Sequence, residues 1–116
     1  MDMLMIILNN EEDTDPVLQG LLDIGVRGAT IIESTGMGRT LCTKVPMFGG
    51  LRTLFQECRP TNKTIFSVIR TKEKLREAIE FINSKLNLEK PGTGFMFVLP
   101  VSEAYGFASA LDSEQK

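Results

Sequence analysis

The chain has 116 residues, no histidine, two cysteines and a formal net charge of −2 from 13 basic and 15 acidic side chains. That length fits one domain, 1–116, and the near-balance of charge argues against nucleic acid or an anionic membrane surface as the main partner. Without histidine the commonest general base is missing, and with it every Ser-His or Cys-His pair.

Cys42 and Cys58 form no CxxC, and they read as two reduced thiols of a cytoplasmic protein that needs no cofactor and holds no metal. No apolar run approaches the roughly 20 residues of a membrane span, so direct membrane insertion is not expected. The apolar start, Met3 to Leu8, has neither a basic flank nor a small-residue cleavage site and does not read as a secretory signal.

In chain order, Met3 to Leu8 is a continuous apolar run, the pattern of a strand covered on both faces. Asn9 to Asp13 breaks it. Asp15 is a good N-cap with Pro16 at the first helical position, and Val17, Leu18, Leu21 and Leu22 follow at helical spacing, predicting a helix over 15–24. Gly20 inside that helix costs about 1 kcal/mol relative to alanine, and Gly25 suits a left-handed cap.

Gly28 to Ser34 reads as a second strand centred on Ile31 and Ile32, followed by a long irregular stretch, 35–62. Lys63 to Arg70 is a third strand. Thr71 caps a second helix with one apolar stripe, Leu75, Ile79, Ile82 and Leu86, opposite Lys72, Lys74, Glu77 and Lys85. A loop punctuated by Pro91-Gly92 leads to a fourth strand, Phe95 to Leu99, ended by Pro100. The tail, 102–116, ends in charged residues.

The order βαββαβ predicts an α+β fold of the ferredoxin-like kind: a four-stranded antiparallel sheet with two helices on one face. The helix-free face of such a sheet should be polar in an isolated chain. Met3-Leu4-Met5-Ile6-Ile7-Leu8 and Phe95-Met96-Phe97-Val98-Leu99 instead offer apolar groups to both faces. A face that apolar calls for a cover: another copy of the chain or, alternatively, the tail or long loop folded over it.

The residues with special chemistry cluster in two glycine turns. Thr35-Gly36-Met37-Gly38-Arg39 follows the second strand, and Gly92-Thr93-Gly94 precedes the fourth. Consecutive exposed N–H groups in such a turn can cradle an anion, and the arginine offers a planar fork for phosphate or carboxylate. Each turn alone also fits an ordinary chain reversal.

Taken together, Gly25-Val26-Arg27-Gly28-Ala29-Thr30, the Gly36-Met37-Gly38-Arg39 turn and Gly92-Thr93-Gly94 with Met96-Phe97-Val98-Leu99-Pro100-Val101 resemble the PII nitrogen-regulatory signalling family over residues 3–101. The resemblance implies a ferredoxin-like homotrimer that binds ATP or ADP between subunits, with 2-oxoglutarate beside the nucleotide. It also implies a long loop after the second strand that docks onto a transporter, an enzyme or a regulator. Position by position, it implies nucleotide contacts at Gly28 and Thr30, phosphate contacts at Gly36, Gly38 and Arg39, and a second glycine wall at Gly92 and Gly94.

Three departures bear on the ligand. Thr40 stands where the family has the glutamine that helps hold 2-oxoglutarate. Thr93 and Phe95 replace the acid and the lysine of the second turn, and the tail reads Glu103-Ala104-Tyr105-Gly106-Phe107 where the family has arginines. Charge-assisted bonds contribute roughly 1.5–3 kcal/mol each, so the standard mode of ATP binding should be weak or lost.

The loop carries no tyrosine for modification; the chain's one tyrosine, Tyr105, lies outside it. Leu51, Leu54, Phe55 and Cys58 fall at i, i+3, i+4 and i+7, the pattern of a short amphipathic helix. Leu51, Leu54 and Phe55 would face either a partner protein or the chain's own trimer. The expected function is a trimeric regulator sensing a small anionic effector. The alternative is a trimeric structural or interaction protein that has lost the ligand site. An enzyme is not expected.

Overall fold

The computed structural model describes residues 1–37 and 61–106. Six regular elements follow in order: β1 Asp2–Leu8, α1 Thr14–Asp23, β2 Thr30–Ser34, β3 Asn62–Ile69, α2 Lys72–Lys85 and β4 Gly94–Pro100. The strands form one sheet in the order β2-β3-β1-β4, with every neighbouring pair antiparallel. This is the α+β ferredoxin-like arrangement that the element order predicts.

Register assigns each side chain to a face, because directly opposed residues point the same way. Leu4, Ile6 and Leu8 of β1 join Ile65 and Ile69 of β3 on the helix side, all at most 3% exposed. Val17 and Leu21 of α1 and Leu75, Ala78 and Ile82 of α2 close over them. Asp2 and Ser67 are buried polar residues of the strands on this side, and both have partners. Ser67 donates to the Gly28 carbonyl, and Asp2 accepts from Lys72 Nζ at 2.9 Å.

The start of α1 differs from the expected Asp15 cap. A 3₁₀ turn, Glu11–Asp13, runs straight into the helix, with Asp13 N–H bonded to the Asn10 carbonyl. The helix therefore opens at Thr14, and Asp15 and Pro16 fall within its first turn, where N–H groups lack intrahelical partners anyway. Its end is as expected. Gly25 has φ +95, its N–H bonds the Leu22 carbonyl, and the Val26 N–H bonds the Leu21 carbonyl. That pair of bonds is a Schellman motif, with Val26 tucked into the core.

Gly20 has a packing reason that periodicity does not reveal. A β-carbon at this buried position would overlap the Phe81 ring of α2. The missing side chain lets the two helices approach, which offsets the propensity cost of glycine in a helix. At the start of α2, the Thr71 side chain accepts from the Lys74 N–H at 3.2 Å, as its capping role predicts.

The open face is read in rows across the sheet. Val68, Met3 and Leu99 form one row; Thr30, Phe66, Met5 and Phe97 the next; Ile32, Thr64, Ile7 and Phe95 the third. Phe95, Phe97, Leu99 and Ile32 are 54%, 37%, 40% and 48% exposed. Phe95 and Phe97 stack at 5.8 Å. The apolar helix-free face expected from the strand sequences is present, and no described residue covers those four side chains. The tail beyond 106 and the loop 38–60 lie outside the described residues.

Candidate effector site

β2 starts at Thr30, two residues later than the sequence pattern suggests, which leaves Gly28 just outside the strand. Gly28 is fixed through its carbonyl, which accepts from Ser67 of β3. Among the described residues nothing lies within 4 Å of where its β-carbon would be. A β-carbon on Gly36 would meet the Asn62 side-chain amide at an ordinary 3.5 Å, and neither glycine has positive φ. The described packing therefore does not itself require glycine at 28 or 36. Both sit along the free edge of β2 with Thr30, an exposed residue on the open face.

The second glycine turn is different. Gly94 has φ +141, and a β-carbon there would collide with the Ile7 carbonyl of β1. Gly92 has φ +88. Lys90-Pro91-Gly92-Thr93 is closed by a hydrogen bond from the Thr93 N–H to the Lys90 carbonyl at 3.2 Å. Proline second and a positive-φ glycine third are the marks of a type II turn. The fold itself requires glycine here, whatever else these residues do.

Strand order decides which of these groups can meet. Gly28, Thr30 and Gly36 line the β2 edge, and Gly92 and Gly94 line the β4 edge, with β3 and β1 between. Three inter-strand steps of about 4.8 Å place the edges about 14 Å apart. A single chain does not bring the two glycine groups together. Gly38 and Arg39 lie outside the described residues, as do Leu51, Leu54, Phe55 and both cysteines.

A polar row joins the stems of the 35–61 segment on the open face. Ser34 bonds the Asn62 side chain and meets Thr64 Oγ1 at 2.8 Å, and Asn62 Nδ2 donates to Asn9 Oδ1 at 3.4 Å. On the other side of the sheet, Thr61 donates to Glu33 at 2.9 Å, and Lys63 sits 3.8 Å from Glu33 and 4.0 Å from Glu11. The sequence offered no signal for this clamp, because it depends on register.

The family model for the nitrogen regulatory protein P-II matches residues 1–108. The chain belongs to this family. A comparison with curated proteins gives no match. P-II proteins are regulatory, so the two glycine groups belong to a regulator's fold.

Against that family the departures gain positions. Phe95, in place of a lysine, projects onto the open face and stacks on Phe97. Tyr105 is 85% exposed beyond β4, and its hydroxyl donates to Glu103, which raises its pKa above the ordinary tyrosine value. Among the described residues no helix is long and apolar enough to cross a membrane.

Proposed function

We propose that this P-II protein is a homotrimeric regulator. It senses a small anionic effector, with an adenine nucleotide as the first candidate, and controls a partner protein through the 35–62 segment. The observation that supports this is the pairing of an apolar sheet face that no described residue covers with glycine groups on opposite edges.

Both features are resolved by one assembly. β2 and β4 run antiparallel to each other, since β2 opposes β3, β3 opposes β1 and β1 opposes β4. Setting the β4 edge of one copy beside the β2 edge of the next continues the antiparallel pattern. Repeated head to tail, that contact closes a ring when the rotation permits. Three copies turn their open faces inward, bury Phe97, Leu99 and Ile32, and leave no free edge. The same contact sets Gly92 and Gly94 of one copy beside Gly28, Thr30 and Gly36 of the next.

In this reading Gly38 and Arg39 complete the phosphate turn, and Leu51, Leu54 and Phe55 meet the partner, which is a transporter, an enzyme or another regulator. The protein works in the cytoplasm, needs no cofactor and turns over no nucleotide. Light scattering should give a mass near three chains, and a clean monomer at micromolar concentration overturns the assembly. Calorimetry with ADP and ATP should then show binding that Arg39→Ala weakens about ten- to a hundredfold. Equal binding by both proteins makes the arginine turn structural.

A second reading has one observation in its favour. Phe95 fills with an apolar ring the position where the family places a cation. On that reading the trimer remains and the ligand site is lost, so calorimetry finds no nucleotide binding to either protein.

A further inference from the structure

The β4-side wall has Phe95 where the resemblance implies a lysine, yet the turn that builds this wall begins with another lysine. Lys90 is four residues ahead of Gly94 in sequence. The type II turn reverses the chain between them, with Gly92 at φ +88 and the Thr93 N–H bonded to the Lys90 carbonyl. First and last Cα atoms of such a turn lie within about 7 Å, so the Lys90 backbone is returned to the side of Thr93 and Gly94. A second bond, Lys90 N–H to the Asn87 carbonyl at 3.1 Å, fixes the chain on the approach.

The side chain is uncommitted. Lys90 is exposed, and its ammonium makes no ion pair or hydrogen bond among the described residues, with its neighbour Glu89 included. The other cations near the two walls are engaged. Lys63 lies between Glu11 and Glu33, and Arg27, next to Gly28, has interactions of its own. An unpaired ammonium on a flexible four-carbon stem, anchored to a rigid turn, is suited to meet an anion as a point charge.

We propose that Lys90 is the cation of the β4-side wall and contacts the phosphate groups of a nucleotide held between that wall and the β2 edge of the adjacent copy. This rests on the effector reading above and adds to it the residue that discriminates a charged ligand from a neutral one. The family's lysine is placed after the glycine turn; here the charge comes from before it, and the turn brings it back.

The test is calorimetry on the full-length protein with ADP and with adenosine, comparing wild type, Lys90→Gln and Lys90→Arg. Lys90→Gln should bind ADP about ten- to a hundredfold more weakly, while adenosine binding stays unchanged. Lys90→Arg should restore most of the loss. The wild-type advantage should also shrink as salt is raised, because the contact is solvent-accessible. Equal ADP affinity in wild type and Lys90→Gln overturns the assignment and leaves the effector reading intact. Equal losses for ADP and adenosine make Lys90 structural and overturn it as well. Failure of wild type to bind ADP overturns both the assignment and the effector reading. Lys90 is exposed, so the thermal midpoints of all three proteins should agree; a lowered midpoint in Lys90→Gln assigns the residue to the turn's stability instead.

Discussion

Ile6 and Ile7 are neighbours in the same strand, of the same residue type, yet they face different worlds. Ile6 points to the helices and is 1% exposed, while Ile7 points to the open face and is half-buried. Along β1 this alternation is complete, although the residues from Met3 to Leu8 are all apolar. Burial in this sheet follows what covers a face, not what the face is made of. The helix side is closed by α1 and α2 from the same chain, while along β1 the open side is as apolar and has no such cover among the described residues.

Truncation at the two positions tests that difference most directly. Ile6→Ala should cost about 2–5 kcal/mol, because it opens a cavity among side chains that cannot collapse onto it. Denaturant unfolding should show this loss at every protein concentration. Gly20→Ala tests the same closed side from the opposite direction, by adding volume where the Phe81 ring lies. It should cost about 1–3 kcal/mol through overpacking. The double variant Gly20→Ala with Phe81→Leu should recover part of that loss; no recovery means that the two helices do not meet as described.

Ile7→Ala should cost less in a dissociated chain, about 1 kcal/mol, since the side chain is only half-buried there. Its cost should grow with protein concentration if another copy covers the face, because binding stabilises only the folded state. A concentration-independent loss equal to that of Ile6→Ala shows a cover supplied within the chain. The smallest effect belongs to the frame that holds the closed side in place. Thr71→Ala removes the cap that accepts from the Lys74 N–H and should cost about 1 kcal/mol in the same unfolding measurement.

Several features were legible without coordinates. The apolar runs of β1 and β4, the amphipathic stripe of α2, the Thr71 cap and the Gly25 stop each rest on local rules that neighbouring residues satisfy among themselves. Other features were not. The start of α1 shifted because a 3₁₀ turn fed into it, and β2 began later because Gly28 turned its carbonyl to Ser67 instead of entering the ladder. Gly20 looked like a cost until Phe81 of another helix filled its place. The clamp of Ser34, Asn62, Thr64 and Asn9 joins residues up to 53 positions apart, and nothing local marks them.

The sequence by itself determined the element order, the apolar character of both sheet faces and the P-II resemblance, because these depend on residue type and short-range spacing. Only the tertiary structure decided that the two glycine groups stand on opposite edges of the sheet. It also separated glycines that the described packing leaves open, Gly28 and Gly36, from glycines that the fold demands, Gly92 and Gly94. Which strand lies beside which, and how far apart two edges fall, are properties of pairing between distant segments, and no local pattern in a single chain encodes them.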